Sequence, residues 1–340
     1  MTIESDRVRF AGGVRHRETL GSPICMVIEN RDWENWREEM GAELPEPDWS
    51  SDRAVSVPRP GHADLAGWAR FGHGDLRNVL ERASARETAG RVAGGAVCRA
   101  LLAEFGATVR SRTVEIGGVR DEQFGGSPEE WEAAEKSDLR CADRETAHRM
   151  REAIDAAKAS GDSLGGELEI VADGVPPGLG SHVSGEARLD GRIAGAMLGI
   201  PAIKAVAIGA GFEAAHVPGS EFHDAIESAD AQRWPFTRPT NNAGGIEGGM
   251  TNGEPVVVRI IMKPIPTLTS PLPSIDLQTG EATVAHAERS DVCAVPAAGV
   301  VGEAMLAMVL ASAAVEFFGG GCMRDMKAAH EAYMDRISTL

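Results

Sequence analysis

Apolar residues recur along the chain in two spacings, one typical of strands and one typical of helices. Short strands are predicted at 8–10 and 24–28, and a helical period follows from Asp75, which suits an N-cap, to about Phe105. Further strands are predicted over 107–119, 165–175, 202–208 and 254–267, and helices over 128–160 (charged and solvated), 189–198, 297–318 and 323–336. Because these elements mix without a strict β-α-β alternation, the pattern favours an α+β fold and a single domain over 1–340.

The most apolar stretch of the chain lies between Glu303 and Glu316. Its twelve residues are fewer than the roughly 20 that a membrane span needs, so we expect a buried helix and no membrane partner. The opening residues 1–7 carry acids and no apolar core of a secretory signal. Five widely spaced cysteines without a C-x-x-C pair argue against a disulfide framework and a zinc site, and favour a reducing cytoplasm.

The charge balance restricts the class of ligand. The formal net charge is −17, which argues against nucleic acid, since binding it requires a broad basic face. A small anionic ligand is still compatible with this charge if a few cations converge on one cleft. Five cations in distinctive local patterns could do so: Arg59, Arg82, Arg86, Lys263 and Arg289.

His62 is the strongest candidate for proton transfer. It lies in the stretch Arg59-Pro-Gly-His-Ala-Asp, where small neighbours leave the imidazole reachable. A purely structural histidine in a Pro-Gly turn is the alternative. Arg82 and Arg86 are spaced four residues apart in the predicted helix and would share one face, either as an anion site or as an ordinary salt-bridged surface.

Three later segments also combine residues that can carry chemistry. The Gly-rich run 244–253 leaves backbone open to a flat ligand or a phosphate, although a plain tight loop would have the same composition. Residues 263–267 place a cation, a rigid proline and a hydroxyl at the end of an apolar strand. Arg289 and Asp291 could form a carboxylate-guanidinium pair that accepts a proton, or a structural ion pair.

Taken together, these blocks resemble the signatures of the chorismate synthase family. The resemblance rests on Arg59–Asp64, Glu81-Arg-Ala-Ser-Ala-Arg-Glu-Thr88, Thr240–Gly253, Met262-Lys-Pro-Ile-Pro-Thr267 and His286–Pro296, and it covers nearly the whole chain. It implies a β-α-β sandwich, a homotetramer, reduced FMN as cofactor, and a lyase reaction that eliminates phosphate from 5-enolpyruvylshikimate 3-phosphate. Whether the chain would reduce its own flavin with NADPH is left open.

The resemblance also implies roles for individual residues. His62, Asp291 and Ser84 would be catalytic, with His62 a general acid toward the departing phosphate and Asp291 helping to move the substrate proton. Arg59 and Arg86 would bind the substrate. The residues that would bind FMN are Arg82, Ala83, Ser84, Pro201, Ala202, Gly248, Lys263, Pro264, Ile265, Pro266, Thr267 and Arg289.

One departure from the family pattern leaves an alternative function open. Members carry about 45–50 further residues before the point that matches Met1, with a second catalytic histidine, and loss of their leading strand would expose a sheet edge. We expect a start assigned too late; the alternative is a truncated, catalytically impaired FMN-binding homologue that acts only as a structural or subunit partner. A third hypothesis, a nicotinamide-dependent Rossmann enzyme, rests on Gly209–Ala214 and is disfavoured, because Pro218 follows too soon for a long helix.

Overall fold

The computed structural model describes residues 6–43, 49, 51, 53–83, 86–229, 234–288 and 290–339. The helices in this described part are α1 (Asp64–Phe71), α2 (Arg77–Arg82), α3 (Glu87–Ala103), α4 (Pro128–Lys136), α5 (Arg144–Ser160), α6 (Leu189–Leu198), α7 (Gly219–Phe222), α8 (Val295–Phe318) and α9 (Met323–Ser338). The strands are β1 (Val8–Gly12), β2 (Val14–Arg15), β3 (Glu18–Thr19), β4 (Cys25–Ile28), β5 (Thr108–Ile116), β6 (Val119–Arg120), β7 (Gly166–Asp173), β8 (Ile203–Ile208), β9 (Glu227–Ser228), β10 (Phe236–Thr237), β11 (Ile246–Glu247), β12 (Met250–Thr251), β13 (Val256–Met262), β14 (Pro273–Ile275) and β15 (Ala282–Val284).

The chain divides into two compact units. Unit 1 comprises residues 1–93 and 266–290, and unit 2 comprises residues 94–265 and 291–340. The prediction of one domain over 1–340 stays a prediction, because compactness alone does not decide whether the two units fold independently. Helices and antiparallel strands occur together along the chain, which confirms the predicted α+β class.

Unit 2 is built on a five-stranded antiparallel sheet in the order β6-β5-β7-β13-β8. Alternate residues of β13 are buried, and its register places Val258 beside Ile170 of β7. This period of two defines one apolar face. Helix α8 covers that face, and its Gly302 lies so close to the sheet that an added Cβ would meet Ile170 at 3.0 Å.

Helix α8 contains the apolar stretch that the sequence predicts to be buried. By length and composition alone it could cross a membrane, the one such helix among the described residues. However, 67% of its most apolar window is buried inside the protein. Its hydrophobicity is explained by packing: Leu306 and Leu310 are fully buried.

Most predicted elements of unit 2 are confirmed, with two local differences. The predicted strand over 107–119 is a hairpin, because Gly117 and Gly118 both have positive φ and form a two-residue turn between β5 and β6. The predicted helix over 128–160 is two helices, α4 and α5, and each buries one face rather than being solvated throughout. Trp131 and Met150 are the largest side chains that these helices bury.

In its described residues, unit 1 contains three short antiparallel pairs of strands, β1 with β4, β2 with β3, and β14 with β15. Helices α1 and α2 contact each other at Gly67 of α1. Their packing leaves no room for a side chain at this position, because an added Cβ would lie 2.4 Å from the side chain of Val79. The start of α2 is anchored by Asp75, whose carboxylate accepts from the backbone N–H groups of Val55 and Arg77 at 2.9 and 2.8 Å. Asp75 therefore anchors the helix start, but the N-cap residue is Leu76, so the prediction of Asp75 as the N-cap is wrong.

Candidate active site

The turn before α1 presents His62. The backbone N–H of His62 donates to the carbonyl of Arg59 at 3.2 Å, and Gly61 has φ of 78°. Proline in the second position and a positive-φ glycine in the third are the signature of a type II turn. Position 61 therefore requires glycine for its backbone conformation, and the turn fixes the point at which the imidazole leaves the chain.

A fully buried carboxylate lies behind this histidine. Asp64 is the first residue of α1 and has no solvent exposure. Its Oδ2 accepts from the backbone N–H and from Nε of Arg59, both at 3.0 Å, and its Oδ1 contacts Nδ1 of His62. The three residues therefore form a compact cluster within one turn.

The contacts of His62 determine which of its nitrogens exchanges a proton. Nδ1 touches the Asp64 carboxylate, which can only accept, and lies 3.1 Å from Nη2 of Arg59, which can only donate. The carboxylate contact is the shorter, so we assign a proton to Nδ1. With Nδ1 engaged in this way, Nε2, which lies 3.4 Å from Nη2 of Arg59, is the candidate nitrogen for proton exchange.

Asp64 carries a negative charge at this position. Burial alone would raise the pKa of its carboxyl, but hydrogen bonds from His62 and Arg59, together with the charge of Arg59, outweigh burial and hold that pKa well below its usual range. An ionised carboxylate behind an imidazole holds the ring in one orientation.

Arg59 connects this cluster to a second predicted segment. Its Nη1 donates to the hydroxyl of Thr267 at 2.7 Å, and only 7% of the residue is exposed. The structure therefore brings Arg59, His62 and Thr267 together. The guanidinium of Arg59 donates hydrogen bonds to Asp64 and Thr267. Its predicted role in binding substrate stays a prediction.

The structure separates Arg82 and Arg86, which the spacing predicts on one helical face. Helix α2 ends at Arg82, and α3 begins only after Arg86, so the two guanidinium groups do not share a helix. Arg86 donates to both carboxylate oxygens of Asp6 at 2.7 and 2.8 Å, and to the carbonyl of Glu29 at 2.9 Å. The prediction of a continuous helix from Asp75 to Phe105 is wrong for this reason.

Ala83 is the C-cap of α2 and is half-buried. Ser84 and Arg289 lie outside the described residues. Their predicted roles, catalytic and flavin-binding for Ser84 and flavin-binding for Arg289, therefore stay predictions.

In unit 2 the structure brings Pro201 and Ala202 to the start of the Lys263 segment. Ala202 has φ of 67°, a left-handed conformation that few residues other than glycine adopt. Its carbonyl accepts from the backbone N–H of Lys263 at 3.0 Å. Strained backbone of this kind is concentrated at functional sites, which supports the choice of this segment.

Lys263 itself is half-buried. Burial lowers the pKa of its ammonium group, and the neighbouring charge of Lys204 lowers that pKa further. Two lysines this close repel each other, so an anionic group placed between or beside them would be stabilised.

The rest of the segment is held by its backbone. The hydroxyl of Ser163 donates to the carbonyl of Ile265 at 2.6 Å, while the neighbouring Pro264 is exposed. Pro266 and Thr267 belong to unit 1 and Lys263 to Ile265 belong to unit 2, so the predicted flavin segment straddles the boundary in sequence between the two units.

Gly248 occupies the tip of the hairpin formed by β11 and β12. Gly248 and Gly249 both have positive φ, 59° and 84°, as a two-residue hairpin turn requires. An added Cβ at Gly249 would meet Arg188 at 2.7 Å, whereas at Gly248 the nearest atom is Cε of Met250 at 4.0 Å. Gly248 therefore presents open space at the tip.

Asp291 lies in the irregular segment before α8 and is exposed. The following carbonyl, that of Val292, accepts from the backbone N–H of Leu164 at 2.9 Å and fixes this part of the chain. Its predicted role in moving the substrate proton stays a prediction.

Residues 209–214, on which the Rossmann hypothesis rests, do not have the structure of a dinucleotide-binding fingerprint. Gly211–Ala215 is a single short 3-10 turn rather than the start of a long helix, and the preceding strand β8 belongs to an antiparallel sheet. A fingerprint needs a parallel β-α-β unit, so these observations exclude the Rossmann hypothesis for 209–214.

Asp64 is the functional candidate that the sequence analysis missed. Asp64 closes the motif that begins at Arg59, and its spacing of two residues from His62 carries a signal. A carboxylate just after a turn can fold back onto that turn. Burial of the carboxylate could not be foreseen, because a polar residue in the first turn of a helix is ordinarily solvated.

Comparison with known proteins decides the family. The model of the chorismate synthase family matches residues 1–315 of the chain. The chain belongs to the chorismate synthase family. The "Chorismate synthase 1" of Bacillus cereus is 52% identical over 323 residues, which cover 94% of this chain and 82% of the relative. The chorismate synthase of Bacillus cytotoxicus is 51% identical over 340 residues, covering 98% and 87% respectively.

A solved structure agrees with these relatives. The crystal structure of a chorismate synthase superposes with a TM-score of 0.79 at 42% sequence identity, covering 98% of this chain and 86% of that one. The predicted family is thereby confirmed, and the α+β class agrees with that of the solved chorismate synthase.

Proposed function

We propose that the chain catalyses the anti-1,4-elimination of phosphate from 5-enolpyruvylshikimate 3-phosphate, which gives chorismate for aromatic amino-acid biosynthesis. Family membership supports this reaction, and the single structural observation that carries it is the buried cluster of Arg59, His62 and Asp64. A departing phosphate needs a proton donor, and this cluster holds an imidazole with an ionised carboxylate behind it.

His62 is proposed to donate the proton from Nε2 to the phosphate as its bond to the ring breaks. Asp64 is proposed to keep the Nδ1 proton in place and so to orient the ring for this transfer. Asp291 is proposed to help remove the proton that leaves from C6 of the ring, so the overall change is loss of one phosphate and one proton with formation of a second ring double bond. Arg59 and Arg86 are proposed to bind the substrate.

Reduced FMN is proposed as the cofactor. When bound, it supplies electron density to the allylic system and recovers it by the end of the reaction, so the overall reaction is redox-neutral. The groups present are suited to a flavin: a half-buried cation at Lys263, the open face of Gly248 and the strained backbone of Ala202. The other residues proposed to hold it are Arg82, Ala83, Ser84, Pro201, Pro264, Ile265, Pro266, Thr267 and Arg289.

A homotetramer and a cytoplasmic location are proposed together with this function, from the family likeness and the cysteine content. The impaired FMN-binding homologue is not favoured, because the family match extends over residues 1–315 and the cluster around His62 is complete.

Anaerobic turnover with chemically reduced FMN tests the proposed function. The chain is mixed with 5-enolpyruvylshikimate 3-phosphate, and chorismate absorbance and released phosphate are followed together. We expect equal amounts of chorismate and phosphate and no net oxidation of FMN. FMN binding without either product would contradict the proposal and support the impaired homologue instead.

A further inference from the structure

One carboxylate outside all the predicted motifs holds the Gly-rich segment of unit 2. Asp224 lies just after α7 and is half-buried. Its Oδ1 accepts from the hydroxyl of Thr240 at 2.6 Å and from the backbone N–H of Asn242 at 2.8 Å. Its Oδ2 accepts from the backbone N–H of Ala243 at 2.9 Å. Three donors from four consecutive residues therefore converge on one side chain.

These contacts replace secondary structure at this point of the chain. Residues 240–243 form neither helix nor strand, so their backbone N–H groups need other partners. The amide side chain of Asn242 also returns to the segment that carries Asp224, donating to the carbonyl of Phe222 at 2.9 Å. Asn241 also holds the segment, accepting from the backbone N–H of Gly245 at 2.7 Å. Hydrogen bonds to an ionised carboxylate are about twice as strong as those between neutral groups, which makes Asp224 a strong anchor.

The carboxylate is ionised in this environment. Partial burial would raise its pKa, but the hydrogen bonds from Thr240, Ala243 and Asn242 outweigh burial, and the charge of Arg238 acts in the same direction, so the net effect lowers the pKa.

Downstream of the anchor, the segment fits its surroundings closely. An added Cβ at Gly244 would meet the backbone nitrogen of Gly209 at 2.3 Å, and one at Gly245 would meet the carbonyl of Pro255 at 2.4 Å. The hairpin of β11 and β12 begins immediately afterwards, and Gly248 lies at its tip. A displacement of residues 242–243 would therefore also displace Gly244 and Gly245, and with them the hairpin that follows.

We propose that Asp224 is a positioning residue for the cofactor: it fixes residues 240–245 so that the hairpin presents the open face of Gly248 to the flavin. The inference rests on the proposed function, since it concerns the same cofactor. Asp224 lies outside the motifs, and it would act through residues 240–245 rather than by touching the substrate or the flavin.

Three substitutions in the full-length chain test it, with FMN binding measured by titration of flavin fluorescence. Asp224→Ala should weaken FMN binding about tenfold or more, because all three donors lose their partner. Asp224→Asn keeps an acceptor for Thr240 and Asn242 but places an amide N–H group against Ala243, so the loss should be intermediate. Glu221→Ala is the matched control, because this exposed neighbour makes none of these contacts and should leave binding within about twofold.

A second readout separates positioning from general stability. Amide hydrogen exchange of the peptide spanning 240–250 should increase in Asp224→Ala, while peptides of β7 and β13 exchange as in the unsubstituted chain. Unchanged FMN affinity in Asp224→Ala would overturn the inference, whether or not exchange increased. If Asp224→Ala does not fold, the Asn variant decides by the same criteria.

The outcomes distinguish this inference from the proposed function. Failure of the unsubstituted chain to bind FMN would overturn the cofactor assignment, and the inference with it. Normal FMN binding in the unsubstituted chain and equal affinity in the variants would overturn the role of Asp224 alone.

Discussion

The carboxylate of Asp64 lies directly behind Nδ1 of His62 and is held on its other side by Arg59. All three residues lie within six consecutive positions, so local chain geometry brings them together, and the bond from Arg59 to Thr267 adds a distant contact. It gives the imidazole of His62 a defined orientation, as its proposed role of proton donor requires.

Asp64→Asn tests that orientation. Asparagine is nearly the same size, but it can present an N–H group to Nδ1 and so favour the other tautomer. We expect kcat to fall by about 10²-fold, the lower end of what general acid catalysis contributes, with little change in KM. Asp75→Asn is the control, since Asp75 also anchors a helix start in unit 1 but does not contact His62. Equal losses in the two variants would indicate a structural effect only.

Asp64 should also make stability depend on pH. Its pKa is lower in the folded protein than in the unfolded chain, so the stabilisation is present above the unfolded value of about 3.9 and is lost as pH falls through the folded value. We predict that the difference in unfolding free energy between the unsubstituted chain and Asp64→Asn narrows between pH 5 and pH 3. Urea unfolding at several pH values measures it, and a difference that widens toward acid pH would contradict the assignment.

Helix α8 offers a comparison of a buried and an exposed ion pair on one element. Glu303 is 3% exposed and accepts from Ser111 and Arg99, both at 2.8 Å, and from Arg140 at 2.5 Å. Glu303→Ala removes the buried partner of Arg140, which still pairs with the exposed Glu135 at 3.1 Å, and should cost about 3 kcal/mol of stability, the lower end of the cost of breaking a buried pair.

The matched control for Glu303 is Glu316 on the same helix, which pairs with Arg192 near the surface. Glu316→Ala should change the unfolding free energy by no more than about 1 kcal/mol. Thermal and urea unfolding of both variants provide the comparison, and a cost for Glu303→Ala as small as that for Glu316→Ala would show that the buried network contributes little.

The glycines of the Gly-rich segment should differ in their tolerance of alanine. Gly244→Ala places a Cβ 2.3 Å from a backbone nitrogen and should cost about 2–4 kcal/mol of stability. Gly248→Ala meets no close atom and should cost only the about 1–2 kcal/mol of a left-handed residue. If Gly248 faces the flavin, however, its variant should lose FMN affinity beyond what its stability change explains. Normal FMN affinity in Gly248→Ala would argue against that contact.

Sequence patterns predicted the large elements because their side chains are buried at the regular spacing of a strand or a helix. Strand β13 alternates, and α6 was predicted with the bounds it has, Leu189–Leu198. Local geometry was harder to foresee. The break between α2 and α3 and the positive φ of Ala202 depend on tertiary contacts, which residue types alone do not encode.

The candidate site was predictable to the extent that its residues fall in motifs. His62, Lys263 and Gly248 were chosen in advance by family likeness, and the structure gives each a setting suited to its proposed role. Asp64 and Asp224 were not foreseen as functional, because each acts through hydrogen bonds that become visible only when the turn or loop is folded. An isolated aspartate in a sequence carries no such signal.

Anaerobic turnover of the His62→Ala variant tests the central claim most directly. It is compared with the unsubstituted chain and with His216→Ala, an exposed histidine of unit 2, using reduced FMN and 5-enolpyruvylshikimate 3-phosphate. We predict chorismate formation by the unsubstituted chain and by His216→Ala, and a loss of about 10²–10⁴-fold in kcat for His62→Ala with FMN affinity retained. Turnover by His62→Ala at the unsubstituted rate would contradict the assignment of His62 as the acid.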